Sequence, residues 1–250
     1  MELPAALREG PGKVAFTLVL AVVLAGLGLG IGSGLVRAAA FGLREAGVTI
    51  TPARAILLST VLLQGVAFGG VSLVYLRARN LSVREWVGVG FPDLRGWLTV
   101  VSGWIVAFLG AMTMVFVVVF TGLDPAANQT SQLGAADPLV FALLVPVSFL
   151  LIGPGEELLF RGVIQNAMVE NLGRVPGILL ATLLFAAAHV FSLSGPLTGR
   201  ATTVFLLMVP GLVLAVTYDY TKNIVVPSLV HGAYNATLFA LAFFGTVFGG

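Results

Sequence analysis

Cysteine is absent from the 250 residues of this chain. That excludes disulfides, thiolate nucleophiles and cysteine-ligated metal centres. Charge is scarce as well: Asp, Glu, Lys and Arg together make up 10% of residues, against about a quarter in soluble domains. Histidine occurs twice. With 58% hydrophobic residues and a mean hydropathy of +1.04, the chain carries far more hydrocarbon than a water-facing surface tolerates. The expected fold is all-α, a polytopic transmembrane helical bundle. The apolar runs are continuous and do not alternate, which argues against a membrane β-barrel.

The small net charge of +2 is carried mainly by arginine. In a membrane protein this reads as anchoring at the cytoplasmic face, with no nucleic-acid partner. The arginine bias also fits a GC-rich prokaryotic genome, and the expected location is the cell membrane. Apolar segments fall at about 14–36, 55–76, 97–121, 138–172, 176–193, 201–217 and 223–248, giving about seven spans (six to eight). The first follows Arg8 and Lys13 and is too long for a signal-peptide core of roughly 7–15 residues, so it reads as a retained span. The fourth is too long for one straight crossing, and Gly153-Pro154-Gly155 is expected to kink it or divide it into two helices. Arg77, Arg79, Arg84 and Arg95 place the connection after the second span inside, whereas the 122–137 loop holds only Asp124 and Asp137. Residues 81–96, with Trp86 and Trp97 beside arginines, read as interfacial. Gly26, Gly30 and Gly34, with Gly28 and Gly32 beside them, suggest close helix packing; no strand precedes them to make a dinucleotide loop. Two parts are expected in one integrated membrane domain: spans and interfacial segment over 1–137, and a helical core carrying the chemistry over 138–250.

Ionised side chains at the centre of a bilayer cost roughly 2.5–3.5 kcal/mol each even on lenient scales, so those within apolar runs need partners or a task. Glu156, Glu157 and Arg161 fall within six residues of one such run. Glu157 and Arg161 are spaced i,i+4 with the acid first, the favourable order for a helical ion pair. Glu156 is rotated about 100° away. It is therefore free to face a cavity and act as a general base. Phe185 and His189 share a face of the fifth segment, with Ala186, Ala187 and Ala188 leaving room for a neighbour. His231 and Asn235 share a face of the seventh. Each pair alone reads equally well as packing or helix–helix hydrogen bonding. Together they make a hydrolytic constellation: Glu156 and His189 acting on water, His231 and Asn235 stabilising an oxyanion. Glu156, His189 and His231 are equally a donor set for zinc. At about 1.5 Å per residue, His231 lies roughly 14 Å beyond Lys222, and His189 roughly 22 Å beyond Arg174. Glu156 lies roughly 27 Å before Arg174 on the same rise. A shared depth requires kinks or tilt. Asp219 beside Lys222 reads as an ion pair at a loop. No His-Glu-x-x-His pair, Gly-x-Gly-Asp motif or activated serine is present.

The three motifs, Glu156-Glu157-Leu-Leu-Phe-Arg161, Phe185-Ala-Ala-Ala-His189 and His231-Gly-Ala-Tyr-Asn235, resemble those of the CPBP family of intramembrane proteases. That family includes CAAX prenyl proteases and bacteriocin-immunity-type proteins. The resemblance covers about residues 138–245. It implies a membrane endopeptidase acting on a peptide or lipidated protein, with Glu156 activating water and Glu157 and Arg161 bracing the site. His189, His231 and Asn235 would bind water, metal or oxyanion. It leaves open a zinc enzyme or a metal-independent glutamate protease. The polar clusters alone also fit a proton- or ion-coupled transporter, or a catalytically silent immunity or scaffold protein.

Overall fold

The computed structural model describes residues 10–249; Arg8 lies outside them. Among the described residues, seven helices are long and apolar enough to cross a membrane: α1 (Gly10–Glu45), α2 (Pro52–Ala78), α3 (Leu94–Thr121), α4 (Leu139–Leu172), α5 (Arg174–Ser192), α6 (Leu197–Thr221) and α7 (Val225–Phe248). This is the expected all-α bundle, with each expected span present. The outward residues are apolar along the helices, as Val19, Val22, Val101, Ile105, Leu109 and Phe116 show. Such a surface suits hydrocarbon and makes the chain a multi-pass integral membrane protein.

Local chemistry sets the helix ends. Thr51 and Asp93 cap α2 and α3 by accepting from the Arg54 and Gly96 amides, satisfying donors that a helix start leaves free. Gly122 ends α3 at φ 66°, a left-handed conformation that costs glycine nothing. A two-residue antiparallel ladder, β1 (Ala127–Asn128) with β2 (Leu193–Ser194), ties the loop after α3 to the end of α5. Asp219, buried near the end of α6, is paired with Lys222 and also with Arg174.

One expectation is narrowed and another needs correction. Of the two outcomes expected at Gly153-Pro154-Gly155, a kink or a division, division does not occur. The chain stays helical from Leu139 to Leu172, widening to π-type turns at Ser148–Ile152 and Leu158–Gln165 on either side of Gly153–Glu157. Wider turns make room for the Pro154 ring and shift the backbone pairing around its missing N–H. The glycines of α1 do pack closely, but on the other ladder. A Cβ at Gly28 would stand 2.8 Å from the Phe68 ring and 3.0 Å from Leu159, and one at Gly32 would collide with Leu63. Gly26, Gly30 and Gly34 have nothing within 4 Å of a Cβ.

The main core joins Ala21, Leu24 and Ala25 of α1 and Phe68 of α2 to Leu159, Phe160 and Val163 of α4 and Phe185 of α5. The expected interfacial segment folds back onto this core. Val83–Gly88 forms a short π-type turn whose Val87 is fully buried. It is held there by polar bonds: the Tyr218 hydroxyl donates to the Val87 carbonyl (3.0 Å) and the Asn166 amide to the Trp86 carbonyl (3.0 Å). Phe91 and Trp97 stay exposed.

Candidate active site

Gly153–Glu157 occupies the middle of α4, where two neighbouring backbones come unusually close. A Cβ at Gly155 would stand 2.3 Å from the Gln64 carbonyl oxygen of α2, and one at Gly153 would stand 2.6 Å from the Ser228 carbonyl of α7. The glycines of the expected break therefore serve as contact points, drawing α2 and α7 against the turn that carries both acids.

Glu157 is fully buried and engaged from two sides. Arg161 Nε lies 3.3 Å from its Oε2 across one helical turn, the expected i,i+4 pair. His231 Nδ1 donates to its Oε1 at 2.8 Å, joining α7 to α4. Arg161, 1% exposed, also donates from Nη2 to the Gly211 carbonyl of α6 (3.1 Å). Its guanidinium carbon lies 4.0 Å from the centre of the Phe185 ring, within cation–π range. Phe185 meets the rings of both His189 and His231 edge-on, at 4.8 and 6.0 Å between centres.

Glu156 points elsewhere, as a rotation of about 100° requires. Its Oε2 is buried, accepts no hydrogen bond, and stands 4.0 Å from Nε2 of His189 and 4.0 Å from Nε2 of His231. Both rings are oriented from behind. His189 Nδ1 donates to the Phe185 carbonyl (2.9 Å) and His231 Nδ1 to Glu157. Each therefore turns Nε2 toward Glu156. Separations of 4.0 Å are within reach of a single bridging water. Five of the six expected site residues thus form one network drawn from α4, α5 and α7. The sixth, Asn235, lies one turn beyond His231 and, among the described residues, makes no side-chain hydrogen bond.

Sequence reading missed Gln64, whose Nε2 donates to Glu156 Oε1 at 3.5 Å. The signal was available: Gln64 is the single amide or charged side chain between Arg54 and Arg77 in α2. It belongs to none of the three motifs and so drew no attention.

Two imidazoles and a carboxylate suit zinc chemically. Their spacing is wider than a shared ion requires: donors about 2.0–2.1 Å from one tetrahedral zinc stand roughly 3.4 Å apart. Among the described residues, no three His, Asp or Glu side chains gather closely enough to hold a metal ion.

The fold and this network define a multi-pass α-helical membrane protein with an acid–imidazole site buried among its helices. Residues 138–237, which contain all three motifs, match the family described as type II CAAX prenyl endopeptidase Rce1-like. The match covers 100 of the 250 residues, is consistent with the CPBP resemblance, and supports an intramembrane protease. No curated protein and no solved structure matches the chain.

Proposed function

We propose that the protein is an endopeptidase hydrolysing a peptide bond of a membrane-associated substrate, of which a prenylated CAAX-type protein is the kind the matched family suggests. The observation that carries this reading is Glu156 Oε2, a buried acceptor without a partner, one water-length from two imidazoles whose other nitrogens are already held.

In the proposed reaction, Glu156 takes one proton from water as the oxygen adds to the substrate carbonyl carbon. The same proton passes to the amide nitrogen as the C–N bond breaks, leaving an acid and an amine. His189 and His231 orient the water and the tetrahedral intermediate. To donate from Nε2 in these roles, each ring must carry protons on both nitrogens, since Nδ1–H is committed to Phe185 in His189 and to Glu157 in His231. Glu157 and Arg161 brace His231 and α4. Asn235, one turn beyond His231 on α7, is the second donor proposed for the oxyanion. Zinc held by Glu156, His189 and His231 would supply a more acidic water, after those side chains draw together.

The test is cleavage, by purified protein in lipid vesicles, of peptides ending in farnesyl- or geranylgeranyl-cysteine plus three residues, beside unlipidated apolar peptides. Glu156→Gln, shape-conserving, is expected to lower kcat by roughly 10²–10⁴-fold. Equal cleavage by a folded Glu156→Gln variant would remove Glu156 from the reaction. Metal analysis of the same samples decides between the two routes. Stoichiometric zinc in the native protein that disappears in His189→Ala would assign the water to the metal.

A further inference from the structure

If Glu156 is the base, as just proposed, the water it activates needs a second anchor, and the structure offers one outside the three motifs. Gln64 reaches Glu156 from α2 with its Nε2–H on Glu156 Oε1. The pair then leaves two oxygens without donors, Gln64 Oε1 and Glu156 Oε2, both buried. Folded chains seldom keep buried acceptors unpaired without a use for them, and here both belong to one amide–carboxylate couple. Water carries the two O–H donors that this couple lacks. The backbone supports the same reading. Gln64 lies in a π-type stretch, Thr60–Phe68, a distortion that recurs at functional positions. Its own carbonyl presses on Gly155, the residue before Glu156.

We propose that Gln64 is a catalytic residue that, together with Glu156, holds the attacking water. One water O–H donates to Glu156 Oε2 and the other to Gln64 Oε1, so a lone pair is aimed at the substrate carbonyl. The O–H on Glu156 is the one transferred. The O–H on Gln64 stays with the oxygen and ends in the product acid. The amide N–H keeps the Glu156 carboxylate from rotating while this occurs.

The experiment compares native protein, Gln64→Met and Glu156→Gln in phosphatidylcholine–phosphatidylglycerol vesicles, with a quenched peptide ending in farnesyl-cysteine plus three residues. Met keeps the side-chain length, and the contact with Gly155 is through backbone, so the packing of α2 on α4 is spared. The expected result is a fall in kcat of roughly ten- to a hundredfold with KM within about threefold. A residue that only fills space would not separate the two constants in that way. A peptidyl ketone, whose hydrate mimics the tetrahedral adduct, should lose affinity by a similar factor. Uncleaved peptide should bind Glu156→Gln and the Glu156→Gln/Gln64→Met double variant alike. If Gln64→Met does not melt like the native protein, Gln64→Asn, which withdraws the amide by one methylene, is read in the same way. Native kcat in either folded variant, with Glu156→Gln inactive, overturns this inference and leaves the proposed function standing. Absence of any Glu156-dependent cleavage across the lipidated and unlipidated panel overturns both.

Discussion

Arg161 shows how a single side chain holds this site together. It is buried among apolar rings, yet it neutralises Glu157 at 3.3 Å, and Glu157 in turn fixes the tautomer and tilt of His231. Removing one member of a buried pair strands the other charge, a loss of about 3–5 kcal/mol. Arg161→Leu is therefore expected to lower the melting temperature in detergent as well as activity, and native-like melting would contradict the bracing role. Arg161→Lys should recover little. An ammonium cannot reach the Gly211 carbonyl and lie flat on Phe185 while also facing Glu157. At this scale the sequence was informative because ionisable residues in hydrocarbon are rare and each demands a reason. Glu156, Glu157, Arg161 and both histidines stood out for that reason. Gln64 did not, since an uncharged amide in a span is an ordinary helix–helix contact until its neighbour is known.

Helices are placed here by glycine as much as by hydropathy, and hydropathy alone misjudged which glycines matter. In α1 two ladders interleave, Gly26/Gly30/Gly34 and Gly28/Gly32, and spacing cannot say which one meets protein. The structure assigns the contact to the second. In α4 the Gly-Pro-Gly run reads as a kink or a division because proline usually costs a helix its continuity. Continuity is kept by the adjoining π-type turns, and the glycines are spent on approach by α2 and α7. A paired substitution checks both points. Gly155→Ala places a methyl group against backbone oxygen and is expected to cost about 1–3 kcal/mol or more, with loss of any cleavage. Gly26→Ala meets no atom and replaces glycine by the best helix former, worth up to about 1 kcal/mol in a helix interior. It should melt at or above the native temperature. Similar melting of the two variants would show that α2 and α4 do not meet at Gly155.

At the scale of the whole molecule, packing crosses residue 137, although the recognisable motifs all follow it. Leu159 of α4 is packed against Gly28 of α1, with Phe68 of α2 beside them. Glu156 receives a hydrogen bond from Gln64, and the turn at Val83–Gly88 inserts Val87 over Gly162. The segment that matches the family carries the acids and imidazoles, but the first two helices form a wall against it. Sequence reading expected one integrated domain without being able to say where its halves met. The joining residues, Gly28, Phe68 and Val87, are as apolar as any lipid-facing residue and carry no motif. A chain of residues 138–250 alone would turn that wall toward lipid, with Gln64 gone and Leu159 and Gly162 stripped of their partners. It is expected to insert but to resist protease poorly and to cleave nothing. Co-expression of residues 1–137 as a separate chain should restore both properties, because the join is made by packing between helices and needs no covalent link at the 122–137 loop. Full cleavage by residues 138–250 alone would show that α1 and α2 are dispensable to the site.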